Sequence, residues 1–73
     1  MSRAEFNFDK LKGLMREKRL TQEELAKAVG MGAAGLNLKL NNKRDFSLTE
    51  AFAIAQVLGI TDLDPYFFDV RLP

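Results

Sequence analysis

The sequence predicts an all-α fold, a compact bundle of five short helices that forms one domain over residues 1–73. Apolar residues recur at helical spacing in successive short segments, and polar or glycine-containing turns separate these segments. Two segments open with a threonine or serine followed three residues later by glutamate, which is typical of a capping box. A domain of this length buries only about 60% of its unfolded surface, so we expect modest stability.

The first helix is predicted over about residues 8–18. Asn7 is a candidate N-cap, and Asp9 suits the positive end of the helix dipole. An apolar stripe follows at helical spacing, made by Phe8, Leu11, Leu14 and Met15. Gly13 weakens the helix by roughly 1 kcal/mol relative to alanine, and we expect it to allow another helix to approach closely.

The second and third helices are predicted over about residues 22–29 and 33–40. Thr21 and Glu24 form the capping box of the second helix, and Gly30 suits a C-cap that needs left-handed backbone. The apolar residues of the two segments are Leu25, Ala26, Val29, Leu36 and Leu40. Two short helices that meet at a glycine turn have the geometry of a helix-turn-helix, whose second helix can enter a DNA major groove.

Residues 41–45 form a polar turn, in which asparagine tolerates left-handed backbone well. The fourth helix has the clearest start, because Ser47 and Glu50 form the second capping box, and Gly59 ends it. Its apolar side is made by Leu48, Ala51, Phe52, Ile54, Ala55, Val57 and Leu58. We therefore expect this helix to be the most buried of the five.

A short fifth helix is predicted near residues 63–68. Thr61 or Asp62 is expected to cap it, and Pro65 fits its first turn, where the missing amide is not needed. Residues 69–73 alternate polar and apolar side chains, which predicts an extended or frayed tail.

Tyr66, Phe67 and Phe68 form an aromatic cluster in the acidic part of the chain. Aromatic rings can stack on single-stranded bases, but the acidic surroundings favour packing in the core. An exposed member of the cluster could instead build a dimer seam with Val70 and Leu72.

The composition argues against several kinds of site. The chain has no cysteine and no histidine, so a disulfide framework is impossible and a structural zinc site is not expected. It has no apolar run near the roughly 20 residues that a membrane helix needs, and its first ten residues lack the apolar core of a secretory signal. The sequence thus predicts a cytoplasmic protein without cofactor, metal, membrane or small-molecule substrate.

The net charge of +1 conceals a strong asymmetry. Residues 1–44 carry ten Lys/Arg and five Asp/Glu, a net +5, whereas residues 45–73 carry one arginine and five acids, a net −4. Such an asymmetry can orient a protein on a polyanion with its basic side first. The alternative is a solvated surface with chance clustering, but the basic residues coincide with the predicted helix-turn-helix.

The order of these elements resembles the Cro-like phage repressor family, also called the XRE helix-turn-helix family, over about residues 8–68. The most specific matches are Thr21-Gln22, Leu25-Ala26, Gly30, the Leu36/Leu40 spacing and the turn Asn41-Asn42-Lys43-Arg44. Phe46 resembles the residue that plugs the core before the family's fourth helix. The resemblance is closest to small prophage regulators of Gram-positive bacteria. It implies a lambda-repressor-like domain in a bacterial cytoplasm, with its recognition helix in the major groove, and a homodimer on paired half-sites.

The first turn of the predicted recognition helix departs from this family. It reads Gly32-Ala33-Ala34-Gly35, which offers no side-chain hydrogen bond to a base edge, and Leu38 is apolar where a polar residue is expected. One explanation is that Ala33, Ala34 and Leu38 touch thymine methyl groups, while Asn37 and DNA shape supply the readout. A second is that base readout has been removed by engineering or drift. A third is that this surface meets a protein.

The candidate DNA-binding residues follow from these arguments. The resemblance implies that Gln22 contacts a phosphate and braces the recognition helix, whereas Thr21 acts mainly as a cap. Asn37 is the best candidate for base readout, because an amide can pair bidentately with adenine. The basic end of the motif is expected to hold phosphates, through Lys39, Asn41, Asn42, Lys43 and Arg44. Flanking contacts, or alternatively helix C-capping, are expected of Arg16, Lys18 and Arg19.

The interpretation that fits these observations best is a small transcriptional regulator or repressor that binds double-stranded DNA. It is not expected to be an enzyme, because its paired carboxylates occupy adjacent or next-but-one positions that do not face each other on a helix. The alternative is a protein-interaction module on the same fold, such as an antirepressor, whose base readout is weakened or lost.

Overall fold

Five helices follow one another along the chain, and a short antiparallel ribbon joins the two ends of the part described by the computed structural model, residues 5–71. The elements in chain order are β1 (Glu5–Phe6), α1 (Asp9–Glu17), α2 (Gln22–Val29), α3 (Ala33–Leu40), α4 (Leu48–Leu58), α5 (Asp64–Phe67) and β2 (Val70–Arg71). The predicted five-helix fold is confirmed, with the ribbon as an addition to it.

The ribbon pairs Glu5 with Arg71 and Phe6 with Val70. The extended form of the predicted tail is therefore present at residues 70–71, while residues 72–73 lie outside the described part. The backbone continues the pairing at Asn7, whose N–H donates to the Asp69 carbonyl at 2.7 Å.

The ends of α1 and α5 differ slightly from the predicted ones. Phe8, rather than Asn7, is in the N-cap position of α1, and Asn7 Oδ1 instead accepts from the Asp9 N–H at 2.9 Å. Leu63 is in the N-cap position of α5, and Asp62 Oδ1 accepts from the Asp64 N–H at 3.3 Å. In both places the side chain of the residue before the N-cap accepts a hydrogen bond from a backbone N–H of the first turn.

The core lies where α2 packs on α3 and α4, and where α1 packs on α5. Its buried residues are Phe8, Leu11, Met15, Leu25, Ala26, Leu36, Leu40, Ala51, Ile54, Ala55, Leu58 and Phe67. Phe46 packs against this core, with its ring centroid 5.4 Å from the rings of both Phe8 and Phe67 in edge-to-face arrangements. It thus fills the position that the resemblance implies for it.

The buried face of α4 is narrower than predicted. Leu48, Phe52 and Val57 are 60%, 54% and 40% exposed, so their assignment to the buried side was wrong. The buried positions are Ala51, Ile54, Ala55 and Leu58, which form a single i, i+3, i+4, i+7 stripe. Leu48 lies in the first turn and the other two lie beside the stripe, so their side chains reach solvent.

Two further packing expectations have different outcomes. A Cβ atom built on Gly13 meets no neighbour within 4 Å, so the expected close helix approach at Gly13 is wrong. In the aromatic cluster, Phe67 is buried and Tyr66 is half-buried, as predicted, but Phe68 is 45% exposed.

Candidate nucleic-acid interface

Helix α2, which leads into the turn before α3, is fixed at both ends by local hydrogen bonds. Thr21 Oγ1 accepts from the Glu24 N–H at 3.1 Å, and Glu24 Oε1 accepts from the Thr21 N–H at 3.0 Å. The hydrogen bond that the Thr21 backbone N–H donates to this carboxylate, followed by one from the Thr21 side chain, lowers the pKa of Glu24. At the other end Gly30 has a φ of 74°, and the Met31 N–H donates to the Ala26 carbonyl at 2.8 Å. The chain therefore reverses sharply and enters α3 at Gly32.

The inner side of α3 is anchored in the core, and its outer side faces solvent. Leu36 and Leu40 are 0% and 2% exposed. Ala34, Asn37 and Asn41 are exposed on the other side. An eight-residue helix held in this way presents one continuous face to a partner, which is the geometry of a recognition helix.

A shallow groove runs between the start of α2 and the first two turns of α3. Its lining consists of Thr21, Gln22, Glu23, Ala33, Ala34, Asn37 and Leu38. The structure thus brings together six of the predicted site residues. A seventh, Gly32, is the N-cap of α3, directly before Ala33. Most of the exposed surface of this groove is apolar.

Three side-chain amides are connected along this surface. Asn37 Nδ2 donates to Gln22 Oε1 at 3.0 Å, which links α3 to α2. Asn41 Nδ2 donates to Asn37 Oδ1 at 3.3 Å and to the Asn37 backbone carbonyl at 2.9 Å. Asn37, the predicted base-reading residue, is therefore held from both sides before any DNA is bound.

Lys39, predicted as a phosphate contact, instead forms an ion pair with Glu50 of the same chain. Its Nζ lies 2.5 Å from Glu50 Oε2. The same carboxylate accepts from the Ser47 N–H at 2.8 Å, and Ser47 Oγ accepts from the Glu50 N–H at 3.0 Å. The hydrogen bond from Lys39, followed by that from Ser47, lowers the pKa of Glu50. The ion pair ties the last turn of α3 to the first turn of α4 and neutralises the Lys39 charge.

Asn42, also predicted as a phosphate contact, holds the amino-terminal strand. It adopts left-handed backbone with a φ of 60°. Its Oδ1 accepts from the Phe6 N–H and its Nδ2 donates to the Phe6 carbonyl, both at 2.9 Å. The side chain thus pairs with β1 as a neighbouring strand would. Left-handed backbone in this turn was expected from the sequence, but the partner is 36 residues away and has no local signal.

The remaining predicted contacts are exposed basic residues that do not line this groove. Lys43 and Arg44 are exposed immediately after α3, and Arg16, Lys18 and Arg19 are exposed at the end of α1. Arg19 has left-handed backbone, with a φ of 57°, and the Leu20 N–H donates to the Met15 carbonyl at 2.9 Å. Arg19 therefore forms part of the helix end as well as carrying charge.

Comparison with known families agrees with this geometry. The XRE-type model of the helix-turn-helix family matches residues 11–65, which include α2, the glycine turn, α3 and α4. No curated protein matches the chain. Within residues 5–71, no helix combines the length and the apolar character needed to cross a membrane. The chain belongs to the XRE-type helix-turn-helix family of DNA-binding transcription regulators.

Proposed function

We propose that this regulator is a small prophage-type repressor that reads a specific duplex sequence with α3 in the major groove, in a bacterial cytoplasm. The observation that supports this most is the exposed outer side of α3, on which Asn37 is already braced against Gln22. Repression needs no further activity, since a protein that occupies promoter DNA blocks access to it.

The composition of the groove supports an A·T-containing recognition sequence. The amide of Asn37 can pair bidentately with adenine, and the methyl groups of Ala33, Ala34 and Leu38 suit the methyl group of thymine. Lys43 and Arg44 are exposed beyond the end of α3. In this proposal they contact phosphates, which positions the helix without reading bases.

Selection of bound duplexes from a random pool tests this proposal. We expect an enriched motif with A·T pairs at its centre, and an affinity that falls steeply between about 50 and 200 mM salt. Failure to enrich any motif, or binding that is insensitive to salt, would contradict the proposed readout. Reduced transcription from a promoter that carries the motif would support repression, and increased transcription would contradict it.

We also propose that the repressor acts as a homodimer. A second groove lies between the start of α4 and the aromatic residues, and exposed Leu48 and Phe68 line it. Exposed apolar patches of this kind mark protein interaction sites.

Sedimentation equilibrium tests the dimer. Phe68→Glu is expected to shift the mass toward that of one chain, whereas Phe52→Glu, at an exposed phenylalanine that does not line this groove, is the matched control. Equal dissociation by both variants, or by neither, would remove this face from the proposal.

A protein-interaction function on the same fold is the second candidate. It is favoured by the first turn of α3, which offers only glycine and alanine over residues 32–35. The absence of a mobility shift on random duplex at low salt and micromolar protein, together with a stoichiometric protein partner, would support it over DNA binding.

A further inference from the structure

The hydrogen bonds that connect the side-chain amides of Asn41, Asn37 and Gln22 all run from donor to acceptor in an order that one backbone atom sets. That atom is the carbonyl oxygen of Asn37. The Asn37 carbonyl oxygen can only accept, so the group that Asn41 turns toward it must be Nδ2. That same Nδ2 faces Asn37 at 3.3 Å, so the Asn37 atom on that side must be Oδ1. The orientation of the Asn37 amide is therefore set by Asn41.

The orientation of Asn37 in turn sets the orientation of the Gln22 amide on α2. Because Oδ1 of Asn37 faces Asn41, its Nδ2 faces Gln22, and Gln22 must present Oε1 to accept from it. The Nε2 group of Gln22 is then left to donate. A phosphate oxygen only accepts, so this orientation of Gln22 suits a phosphate contact, whereas the flipped amide would not.

The orientation also leaves Asn37 able to read a base. A carboxamide has two N–H donors and two acceptor lone pairs. One of each is used by Gln22 and Asn41, and one of each remains for the acceptor and donor that adenine presents in the major groove.

From this geometry we propose that Asn41 is a specificity-determining positioning residue, which orients the amides of Asn37 and Gln22 for DNA rather than holding a phosphate itself. This inference rests on the proposed DNA-reading function and deepens it. It separates Asn41 from Arg44, which the sequence places in the same phosphate-binding set.

The test compares base preferences of single variants. Asn37→Ala is expected to reduce discrimination at one or two base pairs by about tenfold. Asn41→Ala is expected to reduce discrimination at the same base pairs with an unchanged salt slope, and the double variant is expected to lose no more than Asn37→Ala alone. Arg44→Ala is the matched control, because a lost phosphate contact weakens all sequences equally and lowers the salt slope by about 1.

Two further measurements keep the test decisive. Asn41→Asp, which keeps the shape but cannot donate, is expected to relax discrimination as Asn41→Ala does, and thermal unfolding of each variant shows whether it folds. In the free protein, Asn41→Ala is expected to speed hydrogen exchange of the Asn37 side-chain amide. Uniform weakening with a reduced salt slope, or unaltered base preferences, would overturn the role of Asn41 alone, whereas a wild-type protein that selects no duplex would overturn the proposed function with it.

Discussion

The two ends of α3 differ in the polar side chains they carry and in whether those side chains already have partners. The first turn, residues 32–35, carries only glycine and alanine, so it offers shape and methyl groups but no side-chain hydrogen bond. Toward the other end, polar side chains are abundant, and those of Asn37, Lys39 and Asn41 already have partners within the protein. The difference teaches that polar residues near a recognition helix cannot all be counted as DNA contacts, because several of them fix the position of the helix.

The largest expected effect is on stability, at the turn that follows α3. Asn42→Ala removes two hydrogen bonds to Phe6 and places alanine in left-handed backbone, so we expect a loss of about 2–3 kcal/mol in the free energy of unfolding. Asn42→Gly keeps the backbone conformation, so urea unfolding is expected to show a smaller loss of about 1–2 kcal/mol. A glycine variant as stable as the wild type would mean that the paired amide contributes nothing.

The next largest effect is expected on DNA affinity, at the first turn of α3, residues 32–35, which we call the bare turn. Ala34→Glu places a carboxylate on the exposed surface that we assign to DNA, so we expect duplex affinity to fall at least about tenfold by fluorescence anisotropy. Ala28→Glu, at an exposed alanine of α2, is the control for the added charge. If both variants bind alike, the first turn of α3 does not face the DNA.

A basic residue outside the amide network is expected to behave differently. Arg44→Ala removes one exposed cation, so we expect all duplexes to bind about three- to tenfold more weakly at low salt, with a smaller dependence on salt. A titration series from low to moderate salt measures both quantities. Selective loss on one sequence only would instead assign Arg44 to base readout.

The bare turn is also expected to limit the stability of α3. A Cβ atom on Gly35 would meet no neighbour within 4 Å, so Gly35→Ala is expected to raise the free energy of unfolding by about 1 kcal/mol. Thermal and urea unfolding measure this. A destabilised variant would show that Gly35 is needed for a packing reason that the free space around it does not reveal.

The smallest expected effect is the pH dependence of the ion pair between α3 and α4. The pKa of Glu50 in the folded protein lies below its ordinary value of 4.5, chiefly because Lys39 donates to it. Its contribution to stability is therefore fully present above about pH 4.5 and is lost as the pH falls through the lower, folded pKa. Glu50→Gln keeps the capping-box geometry, so we expect it to cost less than about 1 kcal/mol at pH 7.

Comparing the two stability curves isolates the carboxylate. The wild type is expected to lose stability relative to Glu50→Gln as the pH falls below 4.5. Parallel curves over that range would show that the charge of Glu50 makes no net contribution.

The features that were predictable from the sequence are those that neighbouring residues encode. Both capping boxes join residues i and i+3, and Gly30 lies directly after the helix it ends, so the pattern alone locates them. The buried Leu36/Leu40 pair follows from the helical period in the same way. These local signals were sufficient for the order of the five helices and for the glycine turn.

The features that were not predictable depend on distant partners. Asn42 meets Phe6 across 36 residues, and Lys39 meets Glu50 across 11 residues through the orientation of two helices. The exposed side of α4 was also misjudged, because residues 51–55 are all apolar and show no period that tells which of Phe52 and Ile54 faces the core. Composition gives the residue types of the candidate site, but only packing gives their partners.

The pair of hydrogen bonds between Asn42 and Phe6 of β1 also makes the protein sensitive to deamidation at this residue. Hydrolysis of the Asn42 amide to a carboxylate would replace the group that donates to the Phe6 carbonyl with a second acceptor. Two oxygens would then oppose each other at Phe6, so deamidation would leave β1 held by its pairing with β2 alone, while the buried leucines stay in place.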